Sequence, residues 1–142
     1  MTKKIETEIL INANPEKVWK ILTNQKEYPD WNPFIKHFEG KLEIGKKLKI
    51  SIQPPNSSQM KFQPKVLAFE KNKILKWKGK FIINGLFDGT HTFELIDKNN
   101  GTTIFKQNEI FKGLLVRFFN LKNTKTGFER MNSALKTQSE KL

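Results

Sequence analysis

GLLVRFFNLKNTKTGFERMNSALKTQSEKL, residues 113–142, is the stretch on which the fold turns. Leu114, Leu121, Phe128, Leu135 and Leu142 recur every seven residues, with Phe118 and Met131 on the turns between, so the spacing predicts one long helix carrying a single apolar stripe. Such a stripe is stable only against another apolar surface. The chain upstream reads mainly as short strands, so the expected partner is one sheet wrapped around the helix, and the space between them is the expected ligand cavity. Phe118, Leu121 and Phe128 would form the helix side of that cavity, while Met131 and Leu135 seal its dry end. Gly127, which costs the helix up to about 1 kcal/mol relative to Ala, is expected to permit a close backbone approach or a slight bend.

Working back from the helix, alternation supplies the sheet. Ile5, Thr7, Ile9 and Ile11 alternate with Glu6 and Glu8, the period of a strand with one buried face. Asn14 before Pro15 is an N-cap followed by a proline at the first helical position, and Val18, Trp19 and Leu22 give that helix a buried side. Tyr28-Pro-Asp-Trp-Asn-Pro-Phe34 reads as a short helix or turn closing one end of the core. From Ile35 to Phe111, turn signals separate six further strands. The inward faces are Leu48, Ile50 and Ile52; Phe62, Val66 and Ala68; Leu75, Trp77, Gly79 and Phe81; His91, Phe93 and Leu95; and Phe105, Gln107, Glu109 and Phe111. The intervening lysines point outward. No repeat, low-complexity tract or linker interrupts the pattern, so residues 1–142 are expected to form a single domain.

Composition narrows the function. With 37% apolar and 28% charged residues, twelve Phe and three Trp, the chain has the material for a real core. The absence of cysteine removes disulfides, thiolate catalysis and zinc-thiolate sites. The charged, alternating opening Met1–Glu8 is unlike a signal peptide, and Leu114–Phe119 is too short to span a bilayer, so a cytoplasmic location is expected. The net charge of +12 points to nucleic acid. Yet Arg117 and Arg130 are the only arginines and the lysines are scattered along strands, without planar arginines beside exposed stacking aromatics. Specific nucleic-acid binding is not expected, and weak contact with anionic membrane surfaces is kept only as a minor alternative.

The informative anomaly is polarity on inward faces. A hairpin loop at Asp97–Gly101 would set Phe93 near Phe105 and His91 opposite Gln107, or diagonally near Glu109. With Trp77 on the preceding strand, the result is an aromatic wall carrying one imidazole, one amide and one carboxylate, the chemistry of a small-molecule pocket. Two simpler readings stand beside ligand contact: the strand ends are solvated, and His91 and Glu109 satisfy each other. A third makes the pair a general base, with Glu109 orienting the imidazole. The two histidines, His37 and His91, share no metal-ligand spacing, and no Gly-rich loop opens a helix, so neither a metal nor a nucleotide cofactor is expected.

The residues resemble the START-like (SRPBCC) superfamily, in particular its bacterial polyketide cyclase/dehydrase and lipid-transport branch. The resemblance covers essentially the whole chain and rests on Ala13-Asn-Pro-Glu-Lys-Val-Trp19, Tyr28–Phe34, Trp77-Lys-Gly79, Gly89-Thr-His-Thr-Phe93 and Gln107-Asn-Glu-Ile-Phe-Lys-Gly113. It implies an α+β helix-grip fold: a roughly seven-stranded antiparallel sheet curled around a long C-terminal helix, with two short helices after the first strand and an internal cavity. No catalytic motif of an established cyclase matches residue by residue. The expected function is therefore binding or carriage of a hydrophobic or amphipathic lipid- or polyketide-like molecule, without a cofactor, by a monomer or dimer. The ligand contacts would be Trp31, Trp77, Phe81, His91, Phe93, Phe105, Gln107, Glu109, Phe118, Leu121 and Phe128. The alternatives are a cyclase or dehydratase using His91 and Glu109, and a chaperone-regulator-like interaction module meeting an acidic partner through its lysine-rich face.

Overall fold

Asn14 starts the helical part of the chain as its sequence predicts: its side-chain oxygen accepts the Lys17 backbone N–H at 2.9 Å, one of the donors a helix start leaves orphaned. A computed structural model of the chain describes residues 1–80, 87–118 and 120–142. Strand β1 (Thr2–Ile11) precedes helix α1 (Pro15–Thr23), which buries Val18, Trp19 and Leu22, and the four-residue helix α2 (Tyr28–Trp31). Tyr28 is fully buried, donates its hydroxyl to the Leu22 carbonyl, and meets Trp31 and Phe38 edge-on at 5.1 and 4.9 Å.

Among the described residues seven further strands follow: β2 (Ile35–Glu39), β3 (Lys49–Ile52), β4 (Met60–Phe62), β5 (Lys65–Glu70), β6 (Ile74–Lys80), β7 (Asp88–Asp97) and β8 (Thr103–Lys112). All pair antiparallel, in a five-stranded sheet of order β1-β8-β7-β6-β5 and a three-stranded sheet of order β2-β3-β4. The total is eight, one more than the pattern predicts, because Pro64 divides the stretch read as a single strand. Proline has no N–H for the ladder. Its carbonyl turns instead to the Leu48 N–H at 2.8 Å, and Val66 and Gly45 bond with Lys46 and Val66 across the same seam. These bonds join the two sheets into one curled surface. A bulge between Val66 and Ala68 leaves Ala68 half-buried, not inward with Val66.

Helix α3 (Lys122–Ser139) lies in the curl, packed on β1, β8 and α1. It is shorter than the predicted helix over 113–142. Gly113 has φ +137°, Val116–Phe118 form one 3₁₀ turn, and the Asn120 side chain accepts the Lys122 N–H at 3.0 Å, which sets the real start. Leu114 and Phe118 are consequently off the helix and 71% and 69% exposed, and Leu142 lies beyond its end. The buried stripe runs through Gly127, Phe128, Met131, Asn132, Leu135 and Ser139. Gly127 does permit a close approach, to the ring of Phe34: a Cβ there would come within 2.4 Å of it. The architecture is the expected α+β helix-grip, and among the described residues no helix is long and apolar enough to cross a membrane.

Candidate functional site

Strands β7 and β8 build the site. Alternation puts His91, Phe93 and Leu95 on the inner face of β7, and Phe105, Gln107, Glu109 and Phe111 on that of β8, and all seven are buried as predicted. The register differs from the expected one by two residues: His91 faces Glu109 directly, Phe93 faces Gln107 and Leu95 faces Phe105. The cause is the loop. Asn99 and Gly101 both take positive φ, Asp97 accepts the Asn99 N–H, and Lys98 bonds back to Thr102, so the connection spans Lys98–Thr102. His91 thereby reaches both polar partners. Its Nδ1 lies 3.0 Å from Glu109 Oε1 and its Nε2 lies 3.0 Å from Gln107 Oε1.

The direction of these bonds follows from a backbone anchor. The Thr7 hydroxyl sits 2.6 Å from the Gln107 carbonyl oxygen, which can only accept, so Thr7 donates there. Having spent its one proton, Thr7 Oγ1 accepts from Asn132 Nδ2 at 2.9 Å. Asn132 Oδ1 then accepts from Gln107 Nε2 at 2.8 Å, and Gln107 Oε1 is left to accept from His91. His91 Nε2 therefore carries a proton. The contact between Nδ1 and Glu109 holds one further proton, either on the imidazole or on the carboxyl. The pair is neutral overall in both forms.

Aromatic rings enclose the imidazole. Trp77 stacks on it at 5.1 Å, and Phe93 and Phe128 lie 4.7 and 4.9 Å away. A ring face favours positive charge on its neighbour, while the carboxylate provides the compensating negative charge a buried cation needs. Glu109 is 8% exposed, and only Oε1 is engaged: Oε2 has no protein partner among the described residues.

Glu109 also lines a pocket of about 600 Å³ at the N-terminal end of α3. Ile52 and Pro54 of the β3–β4 connection, Phe87 and Phe111 at the adjoining ends of β7 and β8, and Leu121 make most of its apolar wall; Asn123 and Thr124 of α3 border it. The space thus lies beside the core, at one end of the sheet-helix gap. Of the expected ligand contacts, Glu109 and Leu121 line it. Trp77, Phe93, Phe105, Phe128 and Gln107 are packed in the core behind Glu109, and Trp31 belongs to the α2 corner. Phe118 points outward against the Arg117 guanidinium, and Phe81 is outside the described residues. Sequence reading missed Phe87 and the bonding partner Asn132, and placed Ile52 on an inward face without assigning it to the pocket. Asn132 carried a legible signal, a polar residue between Phe128 and Leu135 on the buried stripe.

The comparisons fit this architecture. A model of the family described as polyketide cyclase/dehydrase and lipid transport matches residues 2–140. A comparison with curated proteins gives no match. Among solved structures, the major latex-like protein 151 of Panax ginseng has a TM-score of 0.80 at 9% identity, over 99% of both chains. Protein CV1439 of Chromobacterium violaceum gives 0.75 at 17% identity over 98% of both, and the norcoclaurine synthase of Thalictrum flavum 0.68 at 13% identity over 96% of this chain and 86% of that one. At such identities the likeness is one of fold. With the family match spanning nearly the whole chain, this protein belongs to the polyketide cyclase/dehydrase and lipid transport family of the START-like superfamily.

Proposed function

We propose that this chain binds a small hydrophobic or amphipathic molecule in the pocket between the β3–β4 connection, the ends of β7 and β8, and the start of α3. The observation that carries the reading is the pocket itself: about 600 Å³, with a wall of Ile52, Pro54, Phe87, Phe111 and Leu121 and a few polar residues, Glu109 among them. Volume and lining are those of small-molecule sites, where apolar bulk supplies affinity and a few polar groups supply orientation. Apolar area removed from water at about 25 cal/mol per Å² makes micromolar binding attainable for a ligand of this size. Native mass spectrometry of protein purified from its host tests the reading directly. It is supported by a co-purifying amphiphile that Leu121→Trp, a change filling the pocket from a half-exposed position, displaces. Retention of the same ligand by Leu121→Trp would refute the assignment of the pocket.

A second reading is favoured by the His91–Glu109 pair, whose carboxyl lines that space: proton transfer to or from the bound molecule. Under it, Glu109→Gln abolishes turnover while Leu121→Trp raises KM. Turnover unchanged in Glu109→Gln eliminates the carboxylate mechanism.

A further inference from the structure

The polarity of the buried hydrogen-bond chain specifies more than a pocket. Because the Thr7 hydroxyl is committed to the Gln107 carbonyl, the chain runs in one direction and His91 Nε2 is a donor. Two forms remain at Nδ1. In the first, imidazolium faces carboxylate, and both oxygens of Glu109 are acceptors. In the second, the carboxyl proton lies on Oε1, donated to Nδ1, and Oε2 is a carbonyl oxygen. Oε2, the oxygen His91 leaves free, is an acceptor in both.

We propose that the molecule bound here presents a hydrogen-bond donor to Glu109, so that the preferred ligands are hydroxyl- or amino-terminated amphiphiles and carboxylate-terminated ones are rejected. This rests on the binding reading above and names the ligand class for the same site. A hydroxyl or ammonium completes Oε2, and an ammonium gains further from the negative end of the pair. A carboxylate sets acceptor against acceptor at Oε2, and makes the bond only by taking up a proton. The one lysine on the pocket wall, Lys61, does not reverse this: it is exposed, it borders a second pocket beside Lys36 and Lys49, and its charge is screened there. Sites built to hydrogen-bond a substrate hydroxyl discriminate strongly against analogues that leave their polar groups unpaired.

The test is displacement of a fluorescent apolar probe at neutral pH by three straight-chain compounds of equal length: a primary alcohol, a primary amine and a carboxylate. In the wild type the alcohol and the amine should displace the probe at concentrations at least about tenfold below the carboxylate, the loss expected for one unmade bond to a charged group. Glu109→Gln is the informative variant. Its amide N–H can donate to His91 Nδ1 and leave its oxygen toward the pocket, so the alcohol should keep its advantage while the amine's advantage shrinks. Glu109→Leu should abolish the preference altogether. Carboxylate binding equal to or tighter than alcohol binding in the wild type, or a preference that survives Glu109→Leu, overturns the proposal. Displacement by none of the three, with a probe signal indifferent to Leu121→Trp, refutes the pocket reading itself.

Discussion

Replacing Gly127 by alanine should destabilise this protein, although the same change inside an ordinary helix stabilises it by about 1 kcal/mol. Gly127 is buried on α3 and faces Phe34, whose ring packs edge-on against Phe128 with centroids 5.4 Å apart. A Cβ at 127 would stand 2.4 Å from Phe34 Cδ1 and 2.7 Å from Cε1. Carbon atoms settle at about 3.5–4.0 Å, so the ring must retreat by about 1 Å. Phe34 is 2% exposed and its ring already packs edge-on against Phe128. Overpacking of this kind costs about 1–3 kcal/mol, and with ring and helix both held the upper part of that range applies. Subtracting the propensity gain leaves a net loss of about 1–2 kcal/mol, or roughly 3–8 °C in Tm for a domain of this size. Urea and thermal unfolding measure it. A Gly127→Ala protein as stable as the wild type, or more so, refutes the reasoning. In the double variant with Phe34→Leu, the penalty for alanine should largely vanish, giving a coupling energy of about 1 kcal/mol or more.

Other outcomes follow from the same contacts. Thr7→Val removes a hydroxyl that donates to Gln107 and accepts from Asn132, so it should cost about 1–3 kcal/mol in urea unfolding, and Thr7→Ser much less; equal stability of the two variants would show that the chain is not anchored there. Nitrogen-detected NMR should find a slowly exchanging proton on His91 Nε2, and a bare Nε2 contradicts the assigned direction. Burial pushes Tyr28, the sole tyrosine, well above the ordinary phenol range. A raised folded value means stability is complete below the unfolded value of about 10 and declines as pH rises beyond it. Tyrosinate absorbance should therefore appear only with loss of near-UV circular dichroism; ionisation in an intact fold would disprove the burial. Glu140 is held below the usual carboxylate range by the side-chain bond from Lys136 and then by the Asn12 N–H. Its contribution is present above about pH 4.3 and fades as pH falls, so Glu140→Gln should lower stability at neutral pH and leave it unchanged in acid; a loss equal at both pH values rules the linkage out.

The parts of this fold that were legible in the sequence are those set by local geometry. A strand's side chains alternate whatever it pairs with, which is why all seven inward residues of β7 and β8 were assigned from spacing. Pairing register is set by the loop, and the positive φ of Asn99 and Gly101 moves the ladder by two residues without leaving an apolar signature. Periodicity also misled. Leu114 keeps the seven-residue spacing of Leu121 and Phe128 but sits in a turn beyond Gly113, so its phase with the stripe is coincidental. The pocket was the least legible feature. Ile52, Phe87 and Leu121 come from three distant segments, and only the strand order and the true start of α3 bring them together.

The hydrogen-bond chain behind Glu109 also bears on the choice between carrier and enzyme. A relay that refills a general acid from solvent needs members that can both accept and release a proton. Behind His91 the chain passes through two carboxamides, Gln107 and Asn132, and ends when Thr7 donates to a backbone carbonyl. Carboxamides orient such a chain but do not exchange protons at physiological pH, so the proton shared by His91 and Glu109 has no exit through the core. It can leave only toward the pocket. Any chemistry at Glu109 must therefore exchange its proton with the bound molecule or with water beside it in the pocket. For a carrier the same closed chain is useful without chemistry: it keeps an acceptor aimed at the ligand in either protonation form of the pair. Tritium carried from a substrate position into product or into water would mark the enzymatic case; exchange of the His91–Glu109 proton with solvent that is as fast with the pocket filled as with it empty would contradict the closed chain.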